Sequence, residues 1–257
     1  MELELEGKVI LVTGGSNGLG RALGRRLVTE GARVAFCGRD EPRIAATRAE
    51  LEAAGGEVVA VRADVTMPDD LGRFVERAFE RWGRIDGLVN NAGAGAAKPL
   101  LETTDEEWEA DLALKLLAAT RLCRLTLEHL GAGGSIVNVL AIAGKAPGAA
   151  SMPSSVSRAA GLALTKALSK EVGDRGVRVN AVLVGLVESG QWDRRAEASG
   201  IPVDRLYEAM ALNAGIPLGR VGKGEEFADL VAFLLSPRAG YVSGTAVNLD
   251  GGLSAVV

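Results

Sequence analysis

The chain has 257 residues, 47% of them hydrophobic but only 4% aromatic, a length and composition that suit one α/β domain with helices packed on a buried parallel sheet. Its net charge of −4 supplies no basic face for nucleic acid or an anionic membrane, and no apolar run is long enough to span a bilayer. Cys37 and Cys123 stand singly in apolar segments, no residue cluster has metal-ligand spacing, and the acidic opening Met1–Gly7 leads directly into a strand, so a cytoplasmic protein without metal is expected.

The first predicted strand, "KVILVTG", runs into the turn "TGGSNGLG" and the helical pattern "LGRALGRRLVTEG". In that turn Gly14, Gly18 and Gly20, with Ser16, Asn17 and Leu19 among them, have the spacing of a dinucleotide loop. Glycines there allow the tight turn and the close approach of a pyrophosphate, which the helix amino terminus then binds. The strands "RVAFCG", "EVVAVRADV", "IDGLVNNAG", "SIVNVLA", "RVNAVLVG" and "TAVNLDGG" follow. The intervening stretches, such as "PDDLGRFVERAFERWG", have apolar residues three and four apart. This alternation predicts a doubly wound parallel sheet covered on both faces, in a single domain spanning 1–257. Only the segment 188–219 breaks the rhythm. Lying past the carboxyl end of the sixth strand, it reads either as a substrate lid or as a surface helical pair.

"TGGSNGLG", "ADV" (Ala63–Val65), "NNAG" (Asn90–Gly93), "VNAVLVG" and "LDGG" resemble, in order and spacing, the single-domain short-chain dehydrogenase/reductase family. The resemblance implies a Rossmann-type seven-stranded sheet in the order 3-2-1-4-5-6-7 and a homotetramer. It implies that Asp64 and Val65 border the adenine, that Asn91, Ala92 and Gly93 line the cofactor cleft, and that Gly185 and Val187 lie near the nicotinamide. The second strand ends with Gly38 where an acid would bind the ribose hydroxyls of NAD, and Arg39 beside it has the planar fork that clamps a phosphate. NADP is therefore favoured over NAD, with Asp40 nearby pulling the other way.

The same resemblance implies a serine, a tyrosine, a lysine and an asparagine at the catalytic centre, and this chain differs at every one of them. Ala141 stands at the serine, Ser154 at the tyrosine, Arg158 at the lysine and Lys115 at the asparagine. A tyrosine, with a pKa of about 10, can be tuned into a proton donor; a serine is a far weaker acid and a ring shorter. Arg158 keeps a charge that can bond the nicotinamide ribose but stays protonated. Lys115 falls with Trp108, Leu112, Ala119, Leu122 and Thr126 on the apolar stripe of its helix. A lysine there is either an acid–base group with a lowered pKa or the partner of Asp111 with its amine reaching out to water. Ser155 and Ser157 read as helix-start hydroxyls, and His129 as a partner for the carbonyl end of its helix. Two functions follow: a small-molecule oxidoreductase whose proton transfer is reassigned to Lys115, water or the substrate, or a catalytically silent nucleotide-binding homologue.

Overall fold

The computed structural model describes residues 2–257, with the side chains of all but Gln191, Asp193 and Arg194. Val9–Thr13 (β1) is buried along its whole length and leads into Gly18–Thr29 (α1). Arg33–Gly38 (β2), Glu41–Ala53 (α2), Val58–Arg62 (β3), Pro68–Trp82 (α3) and Ile85–Asn90 (β4) complete the first half. The second half holds Ala97–Lys98 (β5), Asp105–Leu112 (α4), Ala118–Leu127 (α5), Leu130–Ala141 (β6), Met152–Pro153 (β7) and Ser154–Glu171 (α6). Arg178–Val184 (β8), Gly190–Ser199 (α7), Val203–Ala214 (α8), Gly224–Leu235 (α9) and Ala246–Leu249 (β9) close the chain.

The main sheet has seven strands in the order β3-β2-β1-β4-β6-β8-β9, and each of its pairings is parallel. With the two-residue strands β5 and β7 set apart as their own antiparallel pair, this is the expected 3-2-1-4-5-6-7. Successive side chains of a strand point to opposite faces. Ile10 and Val12 of β1 accordingly pack with Leu23, Leu27, Phe227 and Val231 of α1 and α9. Val9 and Leu11 pack with Leu71, Phe74 and Leu122 of α3 and α5. Leu23, Phe74 and Phe227 are each 0% exposed, and burial of that kind contributes about 1.5–3 kcal/mol per side chain.

Two local readings of the sequence are corrected. The long helix over 105–127 is interrupted by a π turn at Ala113–Leu117, which adds a residue to one turn and rotates the helix face. The buried stripe therefore runs Asp111, Lys115, Ala118, Ala119, Leu122 and Thr126, while Trp108 and Leu112 are half-buried. His129 stacks its ring on Phe79, with centroids 4.1 Å apart, instead of serving the helix end. Segment 188–219 holds α7 and α8. The Tyr207 hydroxyl of α8 accepts a hydrogen bond from Ser189 N at 3.1 Å and so ties the two helices at the foot of α7. Among the described residues, no helix is long and apolar enough to cross a membrane.

Candidate active site

The carboxyl ends of β1 and β4 are stitched together by one hydroxyl. Thr13 Oγ1 accepts from the backbone N–H groups of Asn91 and Ala92, both at 2.9 Å, while Asn91 Nδ2 donates to Thr13 O at 2.8 Å. The loop between β1 and α1 is drawn tight against this seam. A Cβ at Gly20 would sit 2.3 Å from Gly14 O and 2.7 Å from Asn91 Nδ2, and a Cβ at Gly15 would sit 2.5 Å from Phe36 Cβ. Gly14 adopts a φ of +65°, which L side chains rarely take. The Gly14, Gly18 and Gly20 spacing does not single out Gly15, whose mark in the sequence is the doublet "GG" at 14–15. At the start of α1, Asn17 makes no side-chain cap and the first turn carries no acid. The helix-end N–H groups and their partial positive charge are thus unopposed by any side-chain anion.

A cleft of about 410 Å³ opens above these strand ends and brings together Gly14, Asn17, Gly18, Leu19, Asn91, Ala92, Gly93, Ala141, Arg158, Gly185 and Val187. Ser189 and Trp192, from the segment read as a lid, also line it. Ser16, Gly20, Arg39, Asp64 and Val65 do not. Ser16 packs beneath Gly38, where a Cβ would be 2.6 Å from its Oγ. Arg39, its side chain 79% exposed, faces Asp64 Oδ2 at 3.9 Å, and Asp64 Oδ1 is held by Thr66 N and Oγ1 at 2.9 and 2.7 Å. Gly38, Arg39 and Asp64 thus share one rim, since the backbone of Ala63 bonds to Gly38 O.

Arg158 enters the cleft from α6. Its Nη1 donates to Val139 O at 2.6 Å, and Gly93 leaves room for the guanidinium, because a Cβ there would meet Nη2 at 2.8 Å. Burial lowers the Arg158 pKa, with Asp111 acting against that shift. Ala141 adds an apolar wall where a hydroxyl would be expected from the resemblance.

Lys115 and Ser154 lie just behind the cleft. The Lys115 side chain is 1% exposed, and its amine donates both to Asp111 Oδ1 and to Ser154 Oγ. Ser154 Oγ also accepts from Ala96 N at 3.1 Å, a bond made possible by the β5–β7 pairing. Ser157 Oγ donates to the second oxygen, Asp111 Oδ2, at 2.6 Å. Burial lowers the Lys115 pKa first of all; the bond to Asp111 and its charge raise it, and the charge of Arg158 lowers it further. Lys115 is thus the partner of Asp111, as one of its two readings has it, but its amine is held inside the protein and does not reach out to bulk solvent. Ser157 is correspondingly more than a helix-start hydroxyl. A cavity of about 10 Å³, bounded by Thr13, Asn90, Asn138, Lys115 and Arg158, separates the amine from the cleft, with room for about one water.

A model of the enoyl-(acyl carrier protein) reductase family matches residues 14–254. The 3-oxoacyl-[acyl-carrier-protein] reductase of Thermotoga maritima is 33% identical over 253 residues, covering 98% of this chain and 99% of its own. A short-chain oxidoreductase from Pseudomonas aeruginosa PAO1, described as containing an atypical catalytic center and solved with NADPH bound, is 38% identical with a TM-score of 0.92, over 97% of this chain and 98% of its own. The chain belongs to the short-chain dehydrogenase/reductase family. L-sorbose reductase from Gluconobacter frateurii, solved with NADPH and L-sorbose, superposes on this short-chain dehydrogenase/reductase with a TM-score of 0.94 at 30% identity, each chain covered over 100% of its length. Within such a fold this short-chain dehydrogenase/reductase places Ala141, Ser154, Arg158 and Lys115 where the resemblance led to an expectation of serine, tyrosine, lysine and asparagine.

Proposed function

We propose that this short-chain dehydrogenase/reductase is an NADP(H)-dependent oxidoreductase interconverting a carbonyl and an alcohol, with Lys115 as proton donor and acceptor. The observation that carries this reading is the buried Lys115 amine bonded to Ser154 Oγ. The hydroxyl alone is too weak an acid, but a hydroxyl fed by an ammonium can hand on a proton while regaining one. The residues of the cleft fit the cofactor. The Gly14–Gly20 loop leaves space that side chains would fill, the first turn of α1 is free of acids, and Gly38 stands where an acid would bind the adenosine ribose, with the exposed Arg39 beside it. The NADPH-bound relatives support the same choice. When bound, NADPH supplies the hydride. The chain's own residues orient and protonate: Gly14, Ser16, Asn17, Gly18, Leu19 and Gly20 cradle the pyrophosphate, and Arg39 takes the 2′-phosphate. Asp64 and Val65 border the adenine, Asn91–Gly93, Gly185 and Val187 frame the nicotinamide, and Arg158 bonds its ribose.

Segment 188–219 acts as a lid on the single 1–257 domain, because Trp192 and Ser189 already wall the cleft. The protein assembles as a homotetramer, as its family resemblance implies, and the lone apolar-segment cysteines Cys37 and Cys123 suit work in the cytoplasm. One observation favours a silent nucleotide-binding homologue instead: Ala141 removes the hydroxyl that would polarise a carbonyl. Following NADPH absorbance against a panel of ketones and aldehydes separates the two. Turnover above the uncatalysed rate is expected; binding of NADPH with no turnover on any member would favour the silent reading.

A further inference from the structure

The carboxylate behind Lys115 faces a second cavity. Asp111 is 5% exposed, with Oδ1 accepting from the Lys115 amine and, at 3.5 Å, from Ser154 Oγ, and Oδ2 accepting from Ser157 Oγ. It also forms part of the wall of a side cavity of about 210 Å³, whose apolar surface comes from Ala96, Ala110, Leu114 and Pro153. The other charged residues lining that cavity, Lys98 and Glu107, are ion-paired to each other and partly exposed. Of the cavity's lining, only Ala94 is shared with the cofactor cleft. Asp111 therefore has the lysine on one side and a solvent-reaching space on the other.

We infer that Asp111 is a positioning residue that holds the Lys115 amine against Ser154 and resupplies it with protons from the side cavity. This rests on the reading of Lys115 as the proton donor. Each carbonyl reduction consumes one proton from solvent. As the carbonyl carbon takes the hydride, its oxygen takes the Ser154 proton, and Ser154 takes one from the Lys115 ammonium. The neutral amine then regains a proton from Asp111, whose carboxyl has taken it from water in the side cavity. The charged groups facing the amine are Asp111 from its own helix and Arg158 from α6; Ser154 and Ser157 add hydroxyls, and β4 and β6 present the amides Asn90 and Asn138. Against burial and Arg158, Asp111 is the one group that favours the ammonium.

The test reads Lys115 without turnover. In protein labelled with ¹³C-lysine, the Lys115 signal is identified by its loss in Lys115→Met and titrated by NMR. In Asp111→Asn the titration is expected to move to lower pH. In Asp111→Ala, sodium formate is expected to move it back up in a saturable manner, having entered through the side cavity. NADPH affinity and melting temperature monitor the fold. An unchanged titration in both variants, or formate without effect in Asp111→Ala, would overturn the inference. A second variant leaves the charges alone: Ala110→Leu narrows the side cavity. Its Lys115 titration should match the natural protein while kcat falls at least about threefold and the solvent isotope effect on kcat rises; unchanged kcat would overturn the route. If Lys115→Met turns over normally, the proposed function fails, and the NMR arm still decides the coupling of Asp111 to Lys115.

Discussion

Lys115 Nζ donates to Ser154 Oγ across the gap between the π turn and the first residue of α6. The two residues are far apart in the chain, and the β5–β7 pairing helps fix their meeting by bonding Ser154 to Ala96 through both its amide and its hydroxyl. A cation thus stands directly behind the only hydroxyl at the position from which the family resemblance led to an expectation of a tyrosine.

The pH dependence of reduction follows from the environment of that cation. Burial holds the Lys115 pKa below the ordinary lysine value, only partly offset by Asp111. A donor must be protonated, so reduction should proceed below that pKa and be lost as pH rises through it, on the acid side of a free lysine. Alcohol oxidation needs the neutral amine and should gain over the same interval. Rate profiles of kcat in both directions check this; parallel profiles would contradict it.

Arg39→Ala should weaken NADPH about tenfold and leave NADH unchanged. The guanidinium is largely exposed, so its bond to a phosphate is discounted to the low end for a charged hydrogen bond. Calorimetric titration with both nucleotides is the check, and equal losses for both would remove Arg39 from the 2′-phosphate site.

Gly20→Ala should damage the loop at its tightest point. The added methyl meets Gly14 O and Asn91 Nδ2, and backbone must shift to admit it, at a cost of roughly 1–3 kcal/mol. Denaturant unfolding should show that loss together with weaker nucleotide binding. Gly18→Ala meets no neighbour but strains a φ of +49°, so its effect should be smaller.

Rebuilding the residues expected from the resemblance should bypass Lys115. Ala141→Ser, Ser154→Tyr and Arg158→Lys together place a hydroxyl, a phenol and a lysine in the cleft. The triple variant should reduce ketones at a rate that Lys115→Met changes by less than about twofold. Strong dependence on Lys115 in that background would show the lysine serving the fold more than the proton transfer.

The architecture was legible because each strand is a short apolar run and each helix has its own period. Even so, β6 begins at Leu130, ahead of the "SIVNVLA" run at 135, through a glycine-rich stretch that carries no strand period. The π turn left no mark in the sequence: one extra residue in a turn is a backbone event, and it moved the buried face from Leu112 to Asp111. The Asp111–Lys115 spacing could be read as a pair. That α6 would seal the pair with Ser154 and Ser157 could not, since the contact depends on how two distant helices pack. The glycine spacing points to the loop but not to Gly15, because the need for a glycine there arises from Phe36 on a neighbouring strand.

The most direct test of Lys115 as the proton donor is a single-turnover measurement. NADPH-loaded natural protein and Lys115→Met are mixed with a carbonyl compound that the natural protein reduces, and the nicotinamide absorbance is followed at neutral pH. With NADPH affinity equal in the two, the expected result is a hydride-transfer rate at least about a hundredfold lower in Lys115→Met, in line with the loss of a general acid. Equal rates in the two proteins would contradict it.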